Sequence, residues 1–348
     1  MTTRTTGTGT GTRHAAPPRD GGTRGSRESF DGGVPPFGPA IAFLRRLRHA
    51  LESGPTHIPA GAVDALSSLP GEVRAAVDRA LRRAAGDYEE DDWGFDEEFA
   101  LALEPLLSFL YEHWWRVEAS GVSNVPSTGR AMLVANHAGI LPWDGTMISV
   151  AIRREHPRPR YPRFLVLDWA FTLPFVSVVM RKVGGVVASP YNASRLLEQD
   201  ELVAVFPEGA KGAGKDFSER YRLQRFGRGG FVEIALRARA PIIPVAVVGS
   251  EEIYPKVGES RLMARAIGAP YFPITPTFPL LGPLGAIPLP SKWRIEFGAP
   301  IRTDRFGPSV ADDRALVFEL SERVREEIQR MVYENLVRRG SAFISGVS

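Results

Sequence analysis

The sequence contains no cysteine, and this absence limits the chemistry available to the protein. Disulfide bonds, thiolate nucleophiles and cysteine-ligated zinc or iron–sulfur centres are excluded, so a reactive group must come from another side chain. Long hydrophobic runs are also missing: no stretch of about 18 uncharged apolar residues occurs, and residues 1–36 lack the apolar core of a signal peptide. These absences predict a cytoplasmic protein that is soluble or bound peripherally to a membrane.

Lysine is scarce and arginine is abundant. Only five of the 43 basic residues are lysines, and the net charge is +3 because 40 residues are acidic. So strong a preference for arginine resembles a bias of genomic composition, and basic clusters therefore carry less weight as evidence for a partner. No nucleic-acid partner is predicted.

The chain divides into three predicted parts. Residues 1–36 are threonine, glycine and arginine with almost nothing to bury, which predicts a disordered tail. Residues 37–117 form a predicted helical N-terminal region, with helices near 38–52, 60–86 and 96–117. The acidic run "GDYEEDDWGFDEE" before the third helix is interpreted as a solvated linker that also places negative charge at the helix N-terminus.

Residues 118–340 are predicted to form one α/β domain. Apolar runs that read as buried strands alternate here with helices; they are AMLVAN, RFLVLD, GGVVAS, ELVAVFPEG, APIIPVAVVG and KWRIEFGAPI. A closing amphipathic helix is predicted at 309–338. The pattern predicts a mixed, largely parallel sheet flanked by helices.

The segment "LVANHAGILPWDGT" places a histidine and an aspartate at the end of a predicted strand. Gly139 permits unusual backbone conformations and Pro142 stiffens the return, so the loop can bring Asp144 back towards His137. A carboxylate that holds an imidazole makes a general base with a fixed tautomer. The structural alternative is that His137 is a core or capping residue and that Asp144 caps the following helix.

Together with "VFPEGAKG" (205–212) and "APIIPVAVVG" (240–249), this segment resembles the blocks of the glycerolipid acyltransferase superfamily, the lysophosphatidate-acyltransferase-like enzymes. The resemblance implies a glycerol-3-phosphate-acyltransferase-like fold. It also implies that His137 deprotonates the acceptor hydroxyl and that Asp144 orients the imidazole of His137. The donor it implies is a thioester of CoA or acyl carrier protein. No metal or cofactor is implied. The implied substrate-binding residues are Asn136, Gly139, Pro142, Phe206, Pro207, Glu208, Gly209 and Lys211.

Three departures from the family pattern affect the acceptor. Six residues separate His137 from Asp144 where the family usually has four, as in the branch that resembles monoacylglycerol and diacylglycerol acyltransferases. Residues 188–190 read Ala-Ser-Pro where the phospholipid-making branch has an arginine for the acceptor phosphate. Lys211 replaces the arginine that usually follows the F-P-E-G motif, and lysine lacks the bidentate guanidinium fork. These departures weaken the prediction of a phosphorylated acceptor.

Two alternatives remain open. "GAKGAGKD" (209–216) matches the spacing of a phosphate-binding loop, but Asp216 stands where serine or threonine would bind magnesium. A non-catalytic, peripheral lipid-binding protein would keep the same fold and residues.

The uncharged segment "FPLLGPLGAIPLP" (278–290) is too short and too rich in proline to cross a bilayer; it is interpreted as the lining of an acyl tunnel, a membrane-interface segment or core packing.

Overall fold

The computed structural model describes residues 88–343, except for residues 138, 140, 174, 175, 267 and 270. The predicted tail and the predicted helices at 38–52 and 60–86 lie outside the described residues. The described strands are β1 (Glu118–Ser120), β2 (Ala131–Ala135), β3 (Arg163–Val166), β4 (Gly185–Val187), β5 (Leu202–Val205), β6 (Ile242–Val248), β7 (Gly258–Glu259), β8 (Pro273–Ile274) and β9 (Arg294–Phe297).

Seven of these strands form one sheet in the order β1-β9-β6-β2-β5-β3-β4, and β7 pairs separately with β8. All neighbours in the large sheet are parallel except β6 and β9, which are antiparallel. The predicted mixed, largely parallel sheet is therefore confirmed, and so are the six predicted strands. Every residue of β2, β5 and β6 is buried, as expected for strands covered on both faces.

The described helices are α1 (Glu97–Ala102), α2 (Glu104–Phe109), α3 (Trp143–Glu155), α4 (Val176–Lys182), α5 (Pro190–Glu198), α6 (Ala210–Ala213), α7 (Gly230–Ala238), α8 (Arg261–Ala266) and α9 (Arg314–Arg339). The predicted helical stretch at 96–117 is helical from Glu97 to Trp114, but it is interrupted at Leu103. Pro105 lies in the first turn of α2, and because proline has no N–H the helix restarts there. A π-helical turn, Leu110–Trp114, then ends this region. The predicted C-terminal helix begins later, at Arg314, where Asp313 accepts hydrogen bonds from the first turn.

Helices cover both faces of the sheet because alternate strand residues point to opposite sides. On one face, Leu133 packs in a buried cluster with Ile148 and Ile152 of α3. On the other face, Met132 and Val134 pack in a second buried cluster whose helical members come from α5, α7 and α9. The sheet edges therefore remain available to the loops. Among the described residues, no helix has the length and apolar character needed to cross a membrane.

The acidic run before α1 is only partly the solvated linker that the sequence predicts. Asp96 caps α1 by accepting a hydrogen bond from Phe99 N at 2.8 Å, which confirms the predicted charge at the helix N-terminus. Asp91, however, pairs with the buried Arg163 of β3 at 2.5 Å, and Glu90 pairs with Lys182 of α4 at 2.5 Å. The run therefore attaches the segment before α1 to the sheet.

Candidate active site

Three neighbouring parallel strands bring the predicted motif residues to one edge of the sheet. β2 lies between β5 and β6, and the carboxyl ends of all three strands meet at the same edge. The segments that follow them are residues 136–145, 206–215 and 249–256. Ligands of open α/β sheets bind at this kind of edge.

The loop after β2 joins His137 to Asp144. The Nδ1 atom of His137 lies 2.6 Å from Oδ2 of Asp144, which confirms the predicted approach of the two side chains. The Asp144 side chain is completely buried, and that of His137 is 18% exposed. Because Asp144 accepts the hydrogen on Nδ1, the acceptor lone pair of the neutral imidazole lies on Nε2.

The surroundings of His137 keep its imidazole basic. Burial by itself lowers the pKa of His137, but the charge and hydrogen bond of Asp144, together with the charge of Glu208, outweigh burial and the opposing charge of Lys215. The net effect raises the pKa of His137 above its ordinary value of 6.5. An imidazole of this kind can hold a proton taken from a substrate hydroxyl.

Asp144 does not cap α3, contrary to the structural alternative. Pro142, which is exposed, occupies the capping position, and Asp144 lies inside the first turn, where its Oδ1 accepts a hydrogen bond from Gly145 N at 2.8 Å. Gly139 allows the loop to close, since its φ is +102° and an added Cβ would lie 2.9 Å from Ser250 O and Oγ. The loop therefore packs directly against the segment that follows β6.

Glu208 follows β5, the strand next to β2, and it accepts a hydrogen bond from the backbone of His137. Its Oε1 accepts a hydrogen bond from His137 N at 2.8 Å, and its Oε2 accepts one from Gln224 N at 2.5 Å. Lys215 Nζ lies 3.3 Å from the same Oε2. With both oxygens engaged inside the protein, Glu208 fixes the position of His137, and its direct contact with the acceptor stays a prediction.

Lys215 is a buried residue of this centre that the predicted site residues do not include. Its side chain is buried between Glu208 and Glu251, and its Nζ donates a hydrogen bond to Arg222 O at 3.2 Å. Lys211, the predicted cation, is exposed instead. The lysine of the phosphate-binding-loop match is therefore already paired with buried carboxylates. The signals in the sequence were its place in the phosphate-binding-loop match and its position four residues, or about one helical turn, after Lys211.

The remaining predicted residues surround this centre. The Asn136 amide is buried and bridges to β6, accepting from Val247 N at 2.7 Å and donating to Val247 O at 2.9 Å. The Phe206 ring lies 4.7 Å from the imidazole of His137, centroid to centroid. Pro207 is half-buried beside it, and Gly209 adopts φ +57° and ψ −147°, a conformation that favours glycine.

A second unpredicted residue, Glu251, places its carboxyl group next to Lys215. Oε1 of Glu251 accepts a hydrogen bond from Tyr221 N at 3.2 Å, whereas its buried Oε2 has no hydrogen-bond partner among the described residues. Burial raises the pKa of Glu251 to about 7 despite the charge of Lys215. Glu251, Lys215 and Gly139 line a small cavity on one side of α6, and a cleft of about 350 Å³ lies against Lys211 and Tyr271. The imidazole of His137 lines neither space.

Comparison with known proteins agrees with this site. The acyltransferase family matches residues 116–248, a segment that contains His137, Asp144 and Glu208. An uncharacterised protein of Mycobacterium leprae is 51% identical over 297 residues, which cover 85% of this chain and 81% of that protein. An uncharacterised protein of Mycobacterium tuberculosis H37Rv is 54% identical over 271 residues, covering 77% of this chain and 76% of that protein.

Two further proteins share a more distant similarity with the chain. The bovine "DGAT1/2-independent enzyme synthesizing storage lipids" is 24% identical over 219 residues, which cover 63% of this chain and 60% of that enzyme. The crystal structure of the 1-acyl-sn-glycerophosphate acyltransferase PlsC from Thermotoga maritima matches with a TM-score of 0.44 and 18% identity, covering 69% of this chain and 78% of that one. The chain belongs to the glycerolipid acyltransferase superfamily, and it is an acyltransferase.

Proposed function

We propose that the protein transfers an acyl group from acyl-CoA or acyl carrier protein to a hydroxyl of a glycerolipid or lysophospholipid, with His137 as the general base. The observation that carries the proposal is the 2.6 Å contact between His137 Nδ1 and Asp144 Oδ2. This contact leaves Nε2 as the nitrogen that accepts the substrate proton. A positioned base of this type typically accelerates a reaction by about 10²–10⁴-fold.

The proposed reaction balances without a covalent enzyme intermediate. His137 Nε2 takes the proton of the acceptor hydroxyl as the oxygen attacks the thioester carbonyl carbon, and Asp144 stabilises the imidazolium. When the carbon–sulfur bond breaks, the imidazolium returns the proton to the departing thiolate. The proposal includes no resident metal or cofactor.

The acceptor and donor are inferred from different parts of the molecule. A neutral glyceride is favoured because residues 188–190 supply no cation and Lys215 is committed to Glu208 and Glu251. The similarity to an enzyme named for storage-lipid synthesis supports the same acceptor class. The donor phosphates would meet exposed basic side chains near α6, namely Lys211, Arg222, Arg225 and Arg228. We place this reaction in the cytoplasm, with the protein held peripherally at a membrane.

The test is acyl transfer from labelled acyl-CoA and acyl carrier protein to monoacylglycerol, diacylglycerol, lysophosphatidate and lysophospholipids. The wild-type protein is expected to acylate at least one acceptor, with His137→Ala lowering kcat/KM by about 100-fold or more. Equal rates for the two proteins would exclude His137 as the base. Tight lipid binding without product would instead favour a non-catalytic lipid-binding protein.

A further inference from the structure

A loop beyond β8 presents large apolar side chains to the surroundings. In this leucine loop, residues 278–287, Leu280 is 84% exposed, and Leu281, Leu284 and Ile287 are also exposed. The loop is anchored at both ends: Phe278 N donates to Thr275 Oγ1 at 2.9 Å, and Tyr254 Oη donates to Ala286 O at 2.6 Å. Ordered backbone thus holds these side chains outside the core, and contiguous exposed apolar surface of this kind marks an interaction site.

The leucine loop belongs to the edge of the sheet that carries His137. It lies in the connection that leaves β6, and Leu289 N donates to Ile253 O at 3.0 Å just after that strand. The connections leaving β2 and β3 also expose apolar side chains close to the strand ends, Leu141 in the first and Leu167 in the second. Because β2, β3 and β6 point in the same direction, all three connections leave the same edge.

The charges at this edge select the kind of partner. Between residues 257 and 290 the charged residues are Glu259, Arg261 and Arg265, and the side chain of Arg261 is 85% exposed. In the connection leaving β5, before α7, the exposed charged residues are Lys211, Asp216, Glu219, Arg222, Arg225 and Arg228, and Asp168 is exposed in the connection leaving β3. Aliphatic side chains accompanied by exposed cations are suited to a bilayer interface with anionic headgroups, where the aliphatic groups enter the acyl region and the cations stay at the phosphates.

We propose that this edge of the sheet is the surface that docks on a lipid bilayer, with the leucine loop inserted among the headgroups. This inference rests on the proposed function, since a lipid acceptor would then reach His137 from the bilayer without crossing water. Of the three interpretations of the segment "FPLLGPLGAIPLP", the proposal selects the membrane-interface segment. The partner is a membrane and not a second protein, because the apolar groups and cations occupy one edge together.

The absence of native cysteine provides a direct test. Leu281→Cys, labelled with an environment-sensitive fluorophore, is expected to shift its emission to the blue with vesicles of phosphatidylcholine and phosphatidylglycerol, and to be quenched by lipid-bound quenchers. The control is Glu198→Cys, an exposed position at the end of α5, shortly before the amino end of β5. No change at position 281, or equal changes at both positions, would overturn the proposal. A label at position 281 that is already shielded without vesicles would show that the chain itself covers the loop, and would overturn it as well.

Activity measurements separate this proposal from the proposed function. A variant with Leu280, Leu281, Leu284 and Ile287 all changed to serine is expected to lose at least tenfold in rate on vesicle-borne acceptor. Its rate on a short-chain acceptor dissolved below its micelle concentration should stay within twofold of the wild type. If the wild type transfers acyl groups but the variant is unaffected on vesicles, the docking surface is wrong while the function stands. If the label at position 281 enters vesicles but no acceptor is acylated, the function is wrong and the docking surface stands.

Discussion

At the scale of residues, the acid–base properties of His137 depend on two carboxylates with different roles. Asp144 contacts the imidazole itself, and Glu208 contacts the backbone N–H of the same residue. Asp144 therefore sets the tautomer and pKa of the ring, whereas Glu208 sets where the ring stands relative to β5. Lys215 compensates the charge of Glu208 in an environment that water barely reaches.

The buried pair of Lys215 and Glu208 leads to a prediction about stability. Lys215→Met leaves Glu208 buried without its cation, and the loss of one partner of a buried ion pair costs about 3 kcal/mol or more. We expect urea unfolding to show this loss, and kcat to fall with it. Lys211→Met, at an exposed position, is expected to unfold like the wild type.

A double variant distinguishes charge compensation from packing. Lys215→Met combined with Glu208→Gln removes the uncompensated charge of Glu208 but not that of Glu251, so part of the lost stability should return while kcat stays low. Equal destabilisation by the single and double variants would contradict the assigned role of Lys215.

The sequence identifies His137, Asp144 and Glu208 because their neighbours form a recognisable motif. It presents Lys215 only as the lysine of a phosphate-binding-loop match, because nothing in the spacing shows which of two lysines one helical turn apart faces the interior. Glu251 is missed for a similar reason, since its proximity to Lys215 arises from the order of β5, β2 and β6 in the sheet. Contacts across strands that are distant in sequence depend on this order.

At the scale of elements, α9 braces the site from outside the segment that the family matches. Gln329 of α9 accepts a hydrogen bond from Leu223 N at 2.9 Å and donates one to Tyr221 O at 2.8 Å. Gln224, the residue after Leu223, donates its backbone N–H to Glu208. A chain of hydrogen bonds therefore runs from the C-terminal helix through residues 221–224 to Glu208 and on to His137.

Removal of this brace should affect both catalysis and folding. Gln329→Leu keeps the side-chain volume but removes two hydrogen bonds, each worth about 1 kcal/mol. We expect Tm to fall by several degrees and kcat to fall about tenfold, because Glu208 loses its fixed neighbour. Glu326→Leu, at an exposed position of the same helix, is the matched control and should stay within twofold of the wild type in kcat. A similar kcat for both variants would show that α9 contributes packing alone.

The long buried strands were predictable from the sequence, whereas β1, β7 and β8 were not. β2, β5 and β6 are continuous apolar runs with every residue buried. β1 has three residues, and β7 and β8 have two each. Segments this short do not show the alternation of apolar and polar residues that indicates a strand. The break at Pro105 was visible in the sequence, but the apolar spacing across it favoured one helix.

At the scale of the whole molecule, the candidate catalytic residues and the exposed leucine loop lie at one edge of the sheet. Helices cover both sheet faces, so the loops at the carboxyl edge carry the chemistry and the exposed apolar side chains together. The strand order could not be derived from the sequence, and this order brings the segments after β2, β5 and β6 together. The general location of the site was nevertheless predictable, because parallel strands share one carboxyl edge.

The most direct test of the central claim is the pH dependence of kcat/KM for acyl transfer in the wild type and in Asp144→Asn. His137 must be neutral to accept a proton, and its pKa is raised, so kcat/KM of the wild type should rise with pH through an apparent pKa above 6.5. Asp144→Asn removes the charge and hydrogen bond that raise this pKa, so the rise should move to lower pH while the plateau falls about 100-fold or more. An unchanged plateau and an unchanged apparent pKa would contradict the claim that His137 is the base and Asp144 its partner.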